Sequence, residues 1–420
     1  MGPDNTSDQS TPHIALALLG GVTAGYTVTA HSPFDSLIDP SASPTAFATV
    51  INAILVTALS AGIAATAVLP RLSRSAVAGM MVTALAVSVG ANVAPVSGAL
   101  TAWASSIPTG IFFACTVSLS SSSRGLIAAT FGWIVAATAG PPLDNLVPPP
   151  ASDFGWTAAD TADVGPTTLR VVVCIVLAIL TGAALATAML HRTPVHAPQP
   201  APPGRMVAVG IVLPVAAALI VTTSSVDRSR DWIWFACAGA MTIVVLACAL
   251  VAPGRTGLVL ASGLVVSASS LVGVDSDFQE WSWILALAGF GIGLLLTVRR
   301  RSVLLPLILV GVLAALYFIG DGLLPSNLST VVTSAAAAYL ITSAAASSTA
   351  ATVAIGIPAL PLFSLPYTFY SAGYDSDDIK INTSPDQFAL AVAGAVMLVA
   401  TSVAILIISG RARAGATRGA

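Results

Sequence analysis

Residues 206–223 read MVAVGIVLPVAAALIVTT and residues 232–251 read WIWFACAGAMTIVVLACALV, with SSVDRSRD at 224–231 between them. Neither block holds a charged residue, and each is about as long as a helix must be to cross a hydrocarbon core about 30 Å thick. The apolar residues are continuous rather than alternating, which excludes the strand of a membrane barrel and leaves the α-helix, whose backbone hydrogen bonds are closed within the segment. The polar insert Asp227-Arg228-Ser229-Arg230-Asp231 is a turn at the membrane surface. One such hairpin makes the chain a membrane protein.

Working outward, similar runs recur along the whole chain. Spans are predicted near 13–30, 45–69, 76–95, 98–118, 125–140 and 171–190 before the quoted hairpin, and near 257–274, 282–298, 303–319, 328–347, 349–370 and 387–409 after it. The expected fold is an all-α integral membrane protein, a polytopic bundle of about 14 transmembrane helices. The uncharged turn at Ser347 and Ser348 leaves the hairpin 328–370 the least constrained, and Pro358, Pro361 and Pro366 offer places to break its second half into a re-entrant segment. The first span ends in Val28-Thr29-Ala30, but no Lys or Arg precedes it, so a retained helix is expected rather than a cleaved signal.

Composition agrees. Of 420 residues 56% are hydrophobic and 8% charged, against about 25% charged in soluble domains, and the mean hydropathy is +0.91. The net charge of -2 argues against a nucleic-acid partner. Cys115, Cys174, Cys237 and Cys248 all fall inside apolar runs, where a thiol behaves as a small hydrophobe, and no redox or metal role is assigned to them.

The charges are segregated. Arg71, Arg74, Arg124, Arg192, Arg205, Arg255, Arg299, Arg300, Arg301, Arg411, Arg413 and Arg418 fall in alternate connections or at the C-terminus. Most acids, among them Asp35, Asp39, Asp144, Asp277, Glu280, Asp321 and Asp378, fall in the opposite set. By the positive-inside rule the arginine-bearing connections are cytoplasmic, which places both termini in the cytoplasm; one Lys, Lys380, against fifteen Arg, with abundant Ala, Gly and Val, suggests a GC-rich bacterial genome and so the bacterial cytoplasmic membrane. The Pro-rich stretch 191–205 divides an N-terminal bundle, 1–190, from two central helices within 206–254 and a C-terminal bundle with its tail, 255–420. The organisation is six plus two plus six.

That count, and the segment from the second to the fifth span, resemble the major facilitator superfamily, in particular its fourteen-helix branch of drug:proton antiporters. Between spans two and three the family carries Gly-x-x-x-Asp-Arg-x-Gly-Arg, which helps gate the cytoplasmic side. Here the matching stretch is Pro70-Arg71-Leu72-Ser73-Arg74, which keeps both arginines, with Pro70 in place of the acid and Ser73 in place of the glycine. The resemblance implies a cytoplasmic gate at Arg71 and Arg74; two topology-setting arginines are the simpler reading. In the fourth span Ser106 stands where the family's buried arginine would be, four residues before Gly110. In the fifth, Gly132, Ala136, Gly140, Pro141 and Pro142 are similar to the antiporter motif of small residues ending in Gly-Pro. Small residues at every fourth position also make a flat face on which another helix packs closely.

No Asp, Glu, Lys, Arg or His is expected deep in the membrane, where such groups mark proton relays and ion paths. The acids at the rim, chiefly Asp35 and Asp321, the latter flanked by Gly320 and Gly322, are the candidates for a titratable group; a solvated loop acid is the simpler reading of each. Candidate cavity hydroxyls are Ser105, Ser106 and Thr109 in span four, with Thr330, Thr333, Ser334, Thr342 and Ser343 in span twelve; helix packing is the alternative use. No phosphate-cradling loop, zinc spacing or nucleophile elbow is present in the sequence, so no cofactor, metal or catalytic residue is expected. Three functions remain: a secondary transporter, facilitator or exporter, of a small lipophilic or amphipathic solute; a transport-inactive scaffold or assembly partner of an unknown protein; and a lipid-linked glycosyl- or acyltransferase using Asp35 or Asp39.

Overall fold

The structure, a computed structural model, describes residues 11–29, 44–94, 98–145, 168–191, 204–226, 231–253, 255–273, 282–319, 326–373 and 384–417. Among them run fourteen α-helices: α1 (Thr11–Thr29), α2 (Pro44–Ile63), α3 (Arg74–Val93), α4 (Gly98–Leu119), α5 (Ser123–Asn145), α6 (Thr168–Leu190), α7 (Gly204–Val226), α8 (Asp231–Val251), α9 (Leu258–Gly273), α10 (Ser282–Arg299), α11 (Leu304–Ile319), α12 (Ser326–Ala346), α13 (Ala350–Gly373) and α14 (Ser384–Thr417). Seven stretches are long and apolar enough to cross a membrane by themselves, and five more helices carry shorter apolar stretches. The chain is an all-α polytopic membrane protein.

Within these helices the Asp, Glu, Lys and Arg residues lie within three residues of a helix end, apart from Arg411 and Arg413 in the last two turns of α14. The hairpin 328–370 is not broken at its prolines. α12 and α13 are both continuous, and α13 runs through Pro358, Pro361 and Pro366. Prolines are tolerated there because neighbouring helices re-satisfy the freed carbonyls. α5 likewise continues through Pro141 and Pro142 to Asn145 instead of ending at Gly140. α2 departs from regularity: its last turns widen into a π-helix (Ala64–Val68) followed by a 3-10 turn, Leu69–Arg71.

The packing has an internal repeat. In the first six helices α1 packs on α4, α5 and α6, α4 packs on α2 and α3, and α3 packs on α6. Eight positions on, α9 packs on α12, α13 and α14, α12 on α10 and α11, and α11 on α14. The contacts between the two sets obey the same offset: α2 meets α13 as α10 meets α5, and α4 meets α13 as α12 meets α5. α7 and α8 pack on each other, α7 also on α2 and α13, and α8 also on α9 and α14.

Candidate functional site

The seam between the two sets is closed at the arginine-bearing end. There α12 is buried from Ala335 to Ala345, α13 from Thr352 to Ala359 and α9 from Leu258 to Val265. Toward the acid-bearing end burial is uneven: Tyr26, Thr27 and Thr29 of α1, Asn92 of α3 and Ala136 of α5 stay buried. Ser329 to Ser334 of α12 are half-buried, and on α4 Ala104 and Ile107 are exposed, Ile107 to 52%.

Glycines set the closeness of the helices that form this frame. Built onto Gly25, a Cβ would stand 2.6 Å from the Trp133 carbonyl oxygen, and on Gly21 or Gly132 it would overlap the carbonyls of Ala129 or Leu18. α1 and α5 therefore touch backbone to backbone, as small-residue faces permit in a membrane. Gly132, Ala136 and Gly140 of the motif all lie on this contact, with Ala136 against Gly25 and Gly140 against Thr29. Pro141 continues the helix beyond them. In the other set Gly289 and Gly293 of α10 press in the same way on Val331, Ala335 and Tyr339 of α12.

Hydroxyls stitch each set together. Thr109 (α4) shares hydrogen bonds with Ser88 of α3 at 2.6 Å and Thr27 of α1 at 3.3 Å, and Thr23 of α1 meets Thr181 of α6 at 2.9 Å. Asn92, one turn beyond Ser88, donates its amide to the Ser88 carbonyl at 2.8 Å and is fully buried. Opposite, Thr297 of α10 bonds Thr342 of α12 at 2.7 Å, and the Tyr339 hydroxyl donates to the Arg300 carbonyl at 2.7 Å. Of the three hydroxyls expected on span four, Ser105, Ser106 and Thr109 are all buried, and Thr109 is the hub of the first network.

At the arginine-bearing end Arg71 is exposed. Arg74 donates through Nη2 to Nε2 of His13 at 3.2 Å, tying the start of α3 to the start of α1. The Ser120 hydroxyl at the end of α4 donates to the His13 carbonyl at 3.0 Å. One of the two expected gate arginines is therefore engaged in an interhelical contact. Asp35 and Asp321, with the stretch 192–203, lie outside the described residues.

Several of these residues escape a reading by motif. Thr23 and Thr27, like Ser88 and Asn92, are spaced by four and so share a helix face. That spacing was the available signal; nothing in it tells which helix answers. His13 pairs with a residue far along the chain, and no local pattern announces it.

Set beside known proteins, the chain is similar to the xylose transporter XylE from E. coli in a partially occluded inward-open conformation, with 12% identity, a TM-score of 0.45, and coverage of 96% of this chain and 99% of that one. No family model matches the chain, and no curated protein matches it either.

Proposed function

We propose that the chain is a secondary transporter of the major facilitator kind, moving a small neutral or amphipathic solute across a bacterial cytoplasmic membrane by alternating access. The observation that carries this reading is the packing repeat. Two six-helix sets related by an offset of eight, meeting along one seam, are the parts that rocking about a midplane site requires. Under this reading the bundles 1–190 and 255–420 are the moving bodies, 191–205 is their linker and 206–254 adds the two central helices. The arginine-bearing face is cytoplasmic, so the end described as closed is the inward one.

An uncharged stretch bears on the substrate. The half-buried stretch Ser329 to Ser334 of α12, which carries hydroxyls and valines but no charge, suits a solute that is hydrogen-bonded and apolar at once, and offers nothing to a strongly charged one. A coupling proton, if used, needs an acid at the rim, and Asp321 is the one we place there.

The test is a flux assay on the purified chain in liposomes bearing a pH gradient, with a panel of neutral amphipathic solutes and lipophilic cations. Solute flux above protein-free vesicles is expected, and Asp321→Asn is expected to abolish the proton component. Absence of flux for every solute would transfer support to the scaffold reading, which the apolar closed end also suits.

A further inference from the structure

α3 packs on α4 and α6, and α6 on α1 and α3, all within the first set. Away from those partners the two helices leave Val82, Val87, Val176 and Ile179 between 47% and 65% exposed. Side chains of that kind left uncovered on a membrane helix border lipid, whose tails are as apolar as they are. Between the two helices runs an open groove of about 290 Å³, lined by Met81, Leu85 and Val89 of α3 and by Ala178, Gly182 and Leu185 of α6. Thr181, the one hydroxyl in its lining, is engaged with Thr23 of α1 at 2.9 Å. Gly182 leaves the groove open, since a Cβ there meets nothing within 4 Å.

Water finds few partners in such a groove, and a void beside hydrocarbon forfeits the contacts of its lining. The occupant is therefore apolar. It is also elongated, because from Met81 to Val89 the groove follows α3 for about 12 Å. It begins about 10 Å from Arg74 along α3 and about 9 Å from His191 along α6. In a core about 30 Å thick that is the depth of the lower half of an acyl chain whose headgroup stands at the arginine-bearing end. That end suits a negative headgroup. Arg71, Arg74 and His191 are exposed there, and neither 64–94 nor 168–191 contains an Asp or Glu. At the opposite end the two helices offer a single base, Arg170, which is half-buried.

We propose that the groove between α3 and α6 is a binding site for an anionic phospholipid, with one acyl chain lodged along Met81, Leu85 and Gly182 and the phosphate at the Arg71 and Arg74 end. The assignment goes beyond the transport reading and holds whether or not the chain moves a solute.

The test is native mass spectrometry of the full-length chain released from nanodiscs of equal parts phosphatidylglycerol and phosphatidylcholine. One phosphatidylglycerol is expected to stay on each chain under conditions that strip phosphatidylcholine. Gly182→Leu and Ala86→Leu, on opposite walls of the groove, are each expected to remove it while the chain stays helical and monodisperse. Arg71→Gln is expected to lower its occupancy about fivefold, and Gly291→Leu, at a glycine of α10 whose Cβ also meets nothing, to leave it unchanged. Retention that ignores both groove substitutions, retention of the two lipids alike, or no retained lipid at all overturns the assignment. So does a dimer that Gly182→Leu dissolves, which makes a second copy of the chain the occupant. Solute flux is read separately, so failure of either result leaves the other standing.

Discussion

Gly25 and Gly182 show how differently one residue type is used. Gly25 stands where a methyl group would meet the Trp133 carbonyl at 2.6 Å, whereas a Cβ on Gly182 meets nothing within 4 Å. Gly182 lines an apolar groove of about 290 Å³ between α3 and α6, with Met81, Leu85 and Thr181. Gly25→Ala should therefore push α1 from α5 and destabilise by about 1 to 3 kcal/mol, as overpacking does. Gly182→Ala should be neutral or stabilise by up to about 1 kcal/mol, from helix propensity alone. Chemical unfolding in detergent measures both, and equal losses from the two would refute the distinction. The sequence shows glycine at both places and cannot tell them apart. Spacing identifies a flat face; only the partner helix decides whether the face is used.

Among the elements, α2 is the one whose shape no pattern announces. Its π turn places the Leu69 N–H on the Ala64 carbonyl, five residues back, and the Thr66 hydroxyl donates to the Gly62 carbonyl at 2.7 Å. Ala64-Ala65-Thr66-Ala67-Val68 is ordinary helical sequence, so the widening is attributed to the packing of this turn on α4, α7 and α13 and to Pro70, which has no N–H to give the Thr66 carbonyl. Deleting Ala65 should remove the extra residue, leave a regular α-helix to Pro70 and slow hydrogen exchange over 60–69. Loss of folded protein instead would mean that the wide turn is required. α1 and α5 teach the opposite lesson. Their positions are legible as spans, yet neither is among the helices apolar enough to cross by composition. They face protein on most sides, so glycine and threonine replace the leucine that lipid demands. Hydropathy measures contact with lipid, and it fades for the innermost helices.

For the whole molecule, the alternation of arginines and acids gave fourteen passes and an orientation before any contact was known. If that orientation holds, Arg71→Cys and Arg301→Cys should react with an impermeant thiol reagent only in inside-out vesicles, and Asp35→Cys only in right-side-out ones. Reaction from the same side at all three would break the assignment. What charge and hydropathy leave unwritten is the pairing of helices, because almost any apolar helix can lie beside any other in lipid. Here the offset of eight, the closed end of the seam and the hydroxyl networks entered only with the fold.

The backbone contact of α1 with α5 also sets a timetable for biosynthesis. Roughly ninety residues separate the end of α1 from the start of α5, which at 5–20 residues per second is about 5 to 20 s of ribosome time. For that interval α1, with its glycines and threonines turned to lipid or to the insertion machinery, has not met the partner that covers them. α10 and α12 lie far closer in the chain and wait only a few seconds. Of the two glycine-faced contacts, the one in the N-terminal set is therefore the later to form.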